Sequence, residues 1–306
     1  MDDRRKFLGG SDAAAVMGLS PWMTPVELWR QKTGRSEPPR LDKLREKILK
    51  RGHLLEPVIV EMAVDKLRDA GHTVELIARN ERYADPEHPF LSCEIDFELR
   101  LDGEEINGDA KSVGGFAREK WGEEETDEVP IEYAAQFMAG LGITGRHRCL
   151  VAALMSLDDV ALYWVHRDDV TIAAMRERCV RFWNDHVLAD VPPDPIDYSD
   201  VKLLYPRDNG TAIEATDDIA GAVAKLRDAT RQRLELERTE EYLQFQIAAF
   251  MQPHARLTRG GRDIATWKGQ SRSDIDRDAL KADHPGIYAD YMRTSTVRVL
   301  RPKKGF

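Results

Sequence analysis

An α/β fold, with a mixed central β-sheet flanked by helices and a helical, small α+β extension behind it, is what these 306 residues predict. Three observations carry that expectation. Alternating apolar and polar residues over 91–111 describe a β-hairpin turning at Asp102-Gly103, a dipeptide that tolerates positive φ. Two apolar runs, HRCLVAALMS and VALYWVHR, suit central or near-central strands. Helical spacing appears on both sides of these strands, over 42–70 and after Pro130. The prolines of VPPDP end the pattern and divide the chain into residues 1–197 and 198–306.

In chain order, RRKFLGGSDAAAV opens with a basic cluster, bends at Gly9-Gly10 and enters a helix capped by Ser11 or Asp12. A serine there serves its own helix or shares the free N–H groups with an anion. Thr24-Pro25-Val26-Glu27 combines an N-cap, a first-turn proline and a capping-box glutamate, and the helix it starts stops at Gly34. After the linker SEPPRLDK, Leu44, Ile48, Leu55, Ile59 and Met62, with Val58 beside them, give one apolar stripe on a long helix. Glu56 lies at its edge, before Pro57, where periodicity alone makes it an exposed helical residue. Strands over 73–78 and around Tyr83 lead into the hairpin. Residues 113–129 are Gly-containing and acidic, either a disordered insertion or a substrate-proximal flap. In PIEYAAQFMAGLGITG the small residues allow close packing on a sheet, and Gln136 sits at the rim or faces a polar site. The turn Leu157-Asp158-Asp159 joins the two apolar strands, and an amphipathic helix over 168–188 closes the first part. Beyond the prolines a coiled-coil-like pattern over 217–252 would reach about 54 Å. A strand over 264–267, helical segments near Leu280 and over 288–292, a strand over 297–300 and the basic tail Arg301-Pro302-Lys303-Lys304 complete the chain.

The net charge of −9 disfavours a protein that coats nucleic acid over its whole surface and leaves room for a locally charged site. Cys93, Cys149 and Cys179 lack the paired spacing of metal ligands, so they read as reduced core thiols. Without an apolar run of about 18 residues or an apolar leader, the expected place is the cytoplasm.

The hairpin carries the chemistry. Asp96 lies on its first arm, while Asp109 and Lys111 share a face of the second. Two carboxylates and an ammonium brought together are costly to desolvate unless a cation and a substrate complete the set. Phosphodiester hydrolysis needs a divalent cation to polarise the phosphoryl oxygen and acidify a water. Hard oxygen ligands suit Mg²⁺, with Mn²⁺ as a substitute, one or two ions per site, and the carbonyl of Ala110 can add a ligand. Lys111 orients the water or offsets charge on the phosphate. Glu94, on the face of Asp96, is an auxiliary ligand or a solvated edge residue. Asp96 followed by Asp109-Ala110-Lys111 has the form of the PD-(D/E)xK metal-nuclease signature.

Around it, GGSDAAAVMGLSPWMTPVELWRQKTG, RGHLLEP, FLSCEIDFEL, GDAKS and YAAQFMAGLGITG follow one another within residues 4–190. This order strongly resembles the YqaJ-type viral recombinase nucleases, relatives of the phage lambda exonuclease. TWKG and HPGIYADYM before VRVLRPKK resemble the C-terminal extension of some members. The resemblance implies a PD-(D/E)xK core with Glu56 as the helix-borne acid, Asp96 and Asp109 as central metal ligands, Lys111 as the signature lysine and Gln136 as its helical neighbour. Arg4 and Ser11, seven residues apart, match a pair that resembles a 5′-phosphate anchor. Asp109 departs from the family's usual glutamate. The implied activity is Mg²⁺-dependent 5′-to-3′ digestion of double-stranded DNA ends for a single-strand-annealing recombinase, in a trimeric ring. The alternatives are a structure-selective or restriction-type endonuclease and a catalytically silent DNA-end-binding module.

Overall fold

Residues 4–36, 43–156 and 159–303 are described by the computed structural model. Most of the charged linker, Leu157 and Asp158 of the expected turn, and Lys304 of the basic tail lie outside the described residues. The chain divides into two units, Met1–Leu204 and Tyr205–Phe306.

The first unit is built on one mixed sheet in the order β1 (Val74–Ala84), β2 (Ser92–Leu101), β3 (Glu104–Ser112), β4 (Arg148–Leu154) and β5 (Val160–His166). Positive φ at Asp102 (51°) and Gly103 (91°) makes the tight turn that the Asp-Gly pair favours. All neighbours are antiparallel except β3 and β4, whose parallel pairing needs the crossover through helix α4 (Ile131–Thr144). One face of β4 packs Leu150 and Ala152 under the long helix α3 (Lys43–Asp69), with Ile59, Ala63 and Leu67. The other packs Cys149, Val151 and Ala153 under Phe137 and Leu141 of α4. Burial on both faces is why this strand is apolar from Cys149 to Leu154. All three cysteines are buried and free.

Several expectations are corrected. Strands 73–78 and Tyr83 are one strand, β1, with an irregularity between Leu76 and Ala78. The apolar stripe of α3 is inward only from Leu55 on, through Ile59, Val60, Ala63, Val64 and Leu67, while Ile48 and Val58 are each 47% exposed. Within residues 113–129, the stretch around Glu125 and Thr126 covers the free edge of β5. Glu125 donates its N–H to the Leu162 carbonyl (2.8 Å), and Trp164 donates to Thr126 (2.9 Å). A free strand edge is thereby satisfied, and Trp121 packs into the core beside Tyr163.

Short helices α1 (Gly10–Val16) and α2 (Pro25–Lys32) pack with α5 (Asp169–Arg181) and the wider π-helical turn Phe182–Leu188 in a third cluster that includes Leu28, Trp29 and Trp183. Helix α6 (Tyr198–Leu204) ends the unit. The second unit holds α7 (Asp217–Met251), the hairpin of β6 (Arg256–Arg259) and β7 (Arg262–Thr266), and helices α8 (Arg277–Asp283) and α9 (Pro285–Tyr291). β6 was not foreseen, and residues 297–300 form no strand, since no ladder partner meets them among the described residues. No helix among the described residues is long and apolar enough to cross a membrane.

Gly108 pairs with Phe97, and a Cβ there would fall 2.2–2.4 Å from the phenyl ring. We expect Gly108→Ala to destabilise the chain by about 2 kcal/mol or more. Combining it with Phe97→Leu should give less than the sum of the two losses in urea denaturation; strict additivity would contradict the contact.

Candidate active site

The sheet opens at one place. β2 and β3 pair from Leu101↔Glu104 as far as Phe97↔Gly108 and no further, although β2 stays on β1 to Ser92 and β3 stays on β4 to Ser112. A kink marks the opening. Asn80, with φ 55°, stands opposite Asp96, and neither is paired in the β1–β2 ladder. The kink also turns β2 over: Phe97 packs on the α3 side, while Ile95 Cδ1 reaches to 3.2 Å of where a Gly140 Cβ would stand on α4. Asp96 then replaces the lost ladder with its own carboxylate, whose Oδ2 accepts the Ala110 N–H at 2.9 Å. Because N–H and C=O of one extended residue point to the same side, the Ala110 carbonyl faces this gap as well.

Asp109 is buried on the α4 side of β3. Gln136 Nε2 donates to its Oδ2 at 3.0 Å, and Lys111 Nζ lies 2.5 Å from its Oδ1. The Lys111 ammonium is thus the cation paired with Oδ1, a buried oxygen. Tyr133 and Phe137 of α4 lie under Lys111 Nζ, with ring centroids 5.2 and 5.7 Å away. Burial works against the ammonium, yet the charges of Asp109 and Asp96 outweigh it and its pKa rises. Asp96 moves up to about 7, chiefly through burial and then through the charge of Asp109. Lys111 and the Ala110 N–H oppose that rise, and Glu56 adds a smaller repulsion from α3.

α4 is held at its far end by a buried polar network. Arg146 donates to Glu98 (2.6 Å) and to Asn107 (3.0 Å), Asn107 donates to Thr144 (3.2 Å), and Tyr83 donates to Glu98 (2.7 Å). Glu98 is one of few buried carboxylates and is fully partnered, which makes the network a rigid link between the sheet and the helix bearing Gln136.

The N-terminal segment completes the site. A pocket of about 120 Å³ is lined by Arg4 and Ser11 from this segment and by Asp109 and Gln136 from the sheet and α4. Ser11 is exposed and does not cap its helix; Gly9 occupies the N-cap, and Asp12 Oδ2 accepts the Gly9 N–H (2.9 Å). Arg82 of β1 lines the same pocket, its guanidinium 4.8 Å from the Phe7 ring centroid, and was missed in the sequence because nothing marks one arginine of an alternating strand. Glu94 also lines it, 3.4 Å from Arg82, so it faces a cation of the wall. Asp96, Asp109, Lys111 and Gln136 are thus brought together, Glu56 reaches them through its charge on Asp96, and Arg4 and Ser11 share one pocket with Asp109 and Gln136 of the set.

Among the described residues no three His, Cys, Asp or Glu side chains gather into a ready-made metal site. The donors nevertheless fit a hard divalent ion by their chemistry: the Asp109 carboxylate, the Asp96 carboxylate held at the gap, and the Ala110 carbonyl. The Asp96 shift has a measurable sign. Its carboxyl titrates near about 7 folded and near about 4 unfolded, so the folded chain binds the proton more tightly and loses stability as pH rises through that window. Asp96→Asn cannot lose this proton. In EDTA its stability relative to the parent should therefore improve from pH 5 to pH 8; parallel stability curves would remove the assignment.

Residues 1–147 match the model of the YqaJ-like viral recombinase domain. The uncharacterized protein YqaJ of Bacillus subtilis (strain 168) is 27% identical over 294 residues, covering 94% of this chain and 88% of that protein. Among solved structures, the alkaline exonuclease LHK-Exo of Laribacter hongkongensis is 17% identical, covering 61% of this chain and 91% of its own, with a TM-score of 0.44. A phage related exonuclease from Haemophilus somnus 129PT is 13% identical over 60% of this chain and 96% of its own, with a TM-score of 0.42. The match to the YqaJ-like viral recombinase domain spans residues 1–147, the part of the chain that holds Asp96, Asp109, Lys111 and Gln136.

Proposed function

We propose that the chain is a Mg²⁺-dependent exonuclease that digests double-stranded DNA from 5′ to 3′ and so prepares ends for a single-strand-annealing recombinase. The observation that carries this reading is the single pocket with Arg4 and Ser11 at one side and Asp109 and Gln136 at the other. A terminal phosphate is an anion that only a strand end presents. Binding it beside the carboxylates fixes which bond is cut.

Asp96, Asp109, the Ala110 carbonyl and Glu56 would hold a divalent cation, which would supply the charge to polarise the phosphoryl oxygen and acidify the attacking water. The chain's own groups do the rest. Gln136 holds Asp109 Oδ2 and thereby aims Oδ1 into the gap. Lys111, confined by two aromatic rings, offsets charge building on the phosphate or orients the water. Arg4 and Ser11 hold the 5′-phosphate. Asp109 is one methylene shorter than a glutamate, which keeps its carboxylate closer to β3. The working form is a homo-oligomer, a trimeric ring around the duplex, in the cytoplasm of a bacterial host.

A time course on linear duplex with and without a 5′-phosphate tests the reading. Phosphorylated ends should be degraded faster, with Mn²⁺ able to replace Mg²⁺, and Lys111→Ala or Asp96→Ala should each lower the rate about a hundredfold or more. Closed circles nicked as fast as linear DNA is digested would indicate an endonuclease instead. Mg²⁺-independent end binding without cleavage would leave only a DNA-end-binding module.

A further inference from the structure

Lys32 is the last residue of α2, and its side chain is 0% exposed. Lysines at helix ends normally keep the ammonium in water. Burying it is unfavourable unless its protons are met, and here each has an oxygen: the Arg4 carbonyl at 2.8 Å, the Phe7 carbonyl at 2.6 Å and Asp12 Oδ2 at 2.7 Å. All three acceptors belong to the segment that carries Arg4 and Ser11. The segment's other end is already fixed to the sheet, since Leu8 donates its N–H to Phe90 (2.7 Å) and accepts from Ser92 (2.8 Å). Lys32 therefore sets the path of residues 4–7, the stretch that no strand holds.

The charge matters as much as the geometry. Asp12 is buried, with Oδ2 on Lys32 and Oδ1 3.7 Å from the Arg4 guanidinium, which is itself 59% exposed. While Lys32 neutralises the carboxylate, the charge of Arg4 stays available to an anion in the pocket. A neutral side chain at position 32 would leave Asp12 to claim Arg4 and to repel that anion.

We propose that Lys32 is a positioning residue for strand-end recognition, holding Arg4 and Ser11 at the pocket and shielding them from Asp12. This rests on reading the pocket as a 5′-phosphate site. The test compares kcat and KM on linear duplex bearing a 5′-phosphate or a 5′-hydroxyl. In Lys32→Met the preference for phosphorylated ends should fall about tenfold, carried by KM on those ends, with kcat at saturation close to that of the parent. Lys32→Arg should keep most of the preference. If Lys32→Met fails to fold by circular dichroism, Lys32→Gln carries the test: it keeps a donor for the buried oxygens but no charge to neutralise Asp12, and it too should lower the preference. A folded Lys32→Met, or in its place Lys32→Gln, with the parental preference would overturn the role of Lys32. A parent that treats both ends alike would overturn the phosphate-site reading itself.

Discussion

The contact between Phe97 and Gly108 is the constraint on which the site depends. β2 and β3 must be joined to form a core and parted to admit a ligand, and the change happens within two residues. At Gly108 the phenyl ring lies where a side chain would be, so the strands are locked together by close packing. One step further Asp96 leaves the ladder, and its carboxylate takes up the Ala110 N–H that β2 would have bonded. The gap is thus created without orphaning a backbone donor. Loss of the glycine would push the strands apart in the core, and loss of Asp96 would leave an unpaired N–H at the gap.

The charges in the gap are held by α4. Gln136 fixes one oxygen of Asp109, while Tyr133 and Phe137 flank Lys111. These residues lie three and four apart, so one helical face serves both charged side chains of β3. Such a face works only if the helix cannot slide, and the Glu98–Arg146–Asn107 network at its end prevents that. Two carboxylates with one ammonium remain an unbalanced set. Asp96 is raised chiefly by its burial and then by the charge of Asp109.

What could be read in the sequence was local or periodic. Asp102-Gly103 announces its own turn, Thr24 to Glu27 announces its own cap, and the spacing of Asp109 and Lys111 puts them on one face because strands alternate. What could not be read depends on tertiary partners. Lys32 looks like a solvated helix end, and only the fold brings three oxygens to it. Asn80 gives no sign that it takes a left-handed conformation opposite Asp96, so the turning over of β2, which sends Ile95 to α4, was invisible. Ile48 fits the apolar stripe of α3 yet stands in solvent, because periodicity predicts a face and not how far the sheet beneath it extends. Residues 113–129 were ambiguous for the same reason: an edge cover has no pattern of its own beyond the strand it satisfies.

The two halves of the site meet through main chain rather than through a bridge of side chains. Gly10 packs directly on Gln136, at 3.5–3.6 Å from where its Cβ would stand, and on Cys93 at the start of β2. The N-terminal segment therefore rests on the same glutamine that orients Asp109. Its other restraints run inward, through Lys32 and Asp12, and onto the sheet, through Leu8. A side chain at the end of such a segment can be exposed, as Arg4 is, and still be fixed in position, because its backbone is held and only its guanidinium is left to reach a ligand. Burying one charge on Lys32 thus makes a second charge, on the surface, directional.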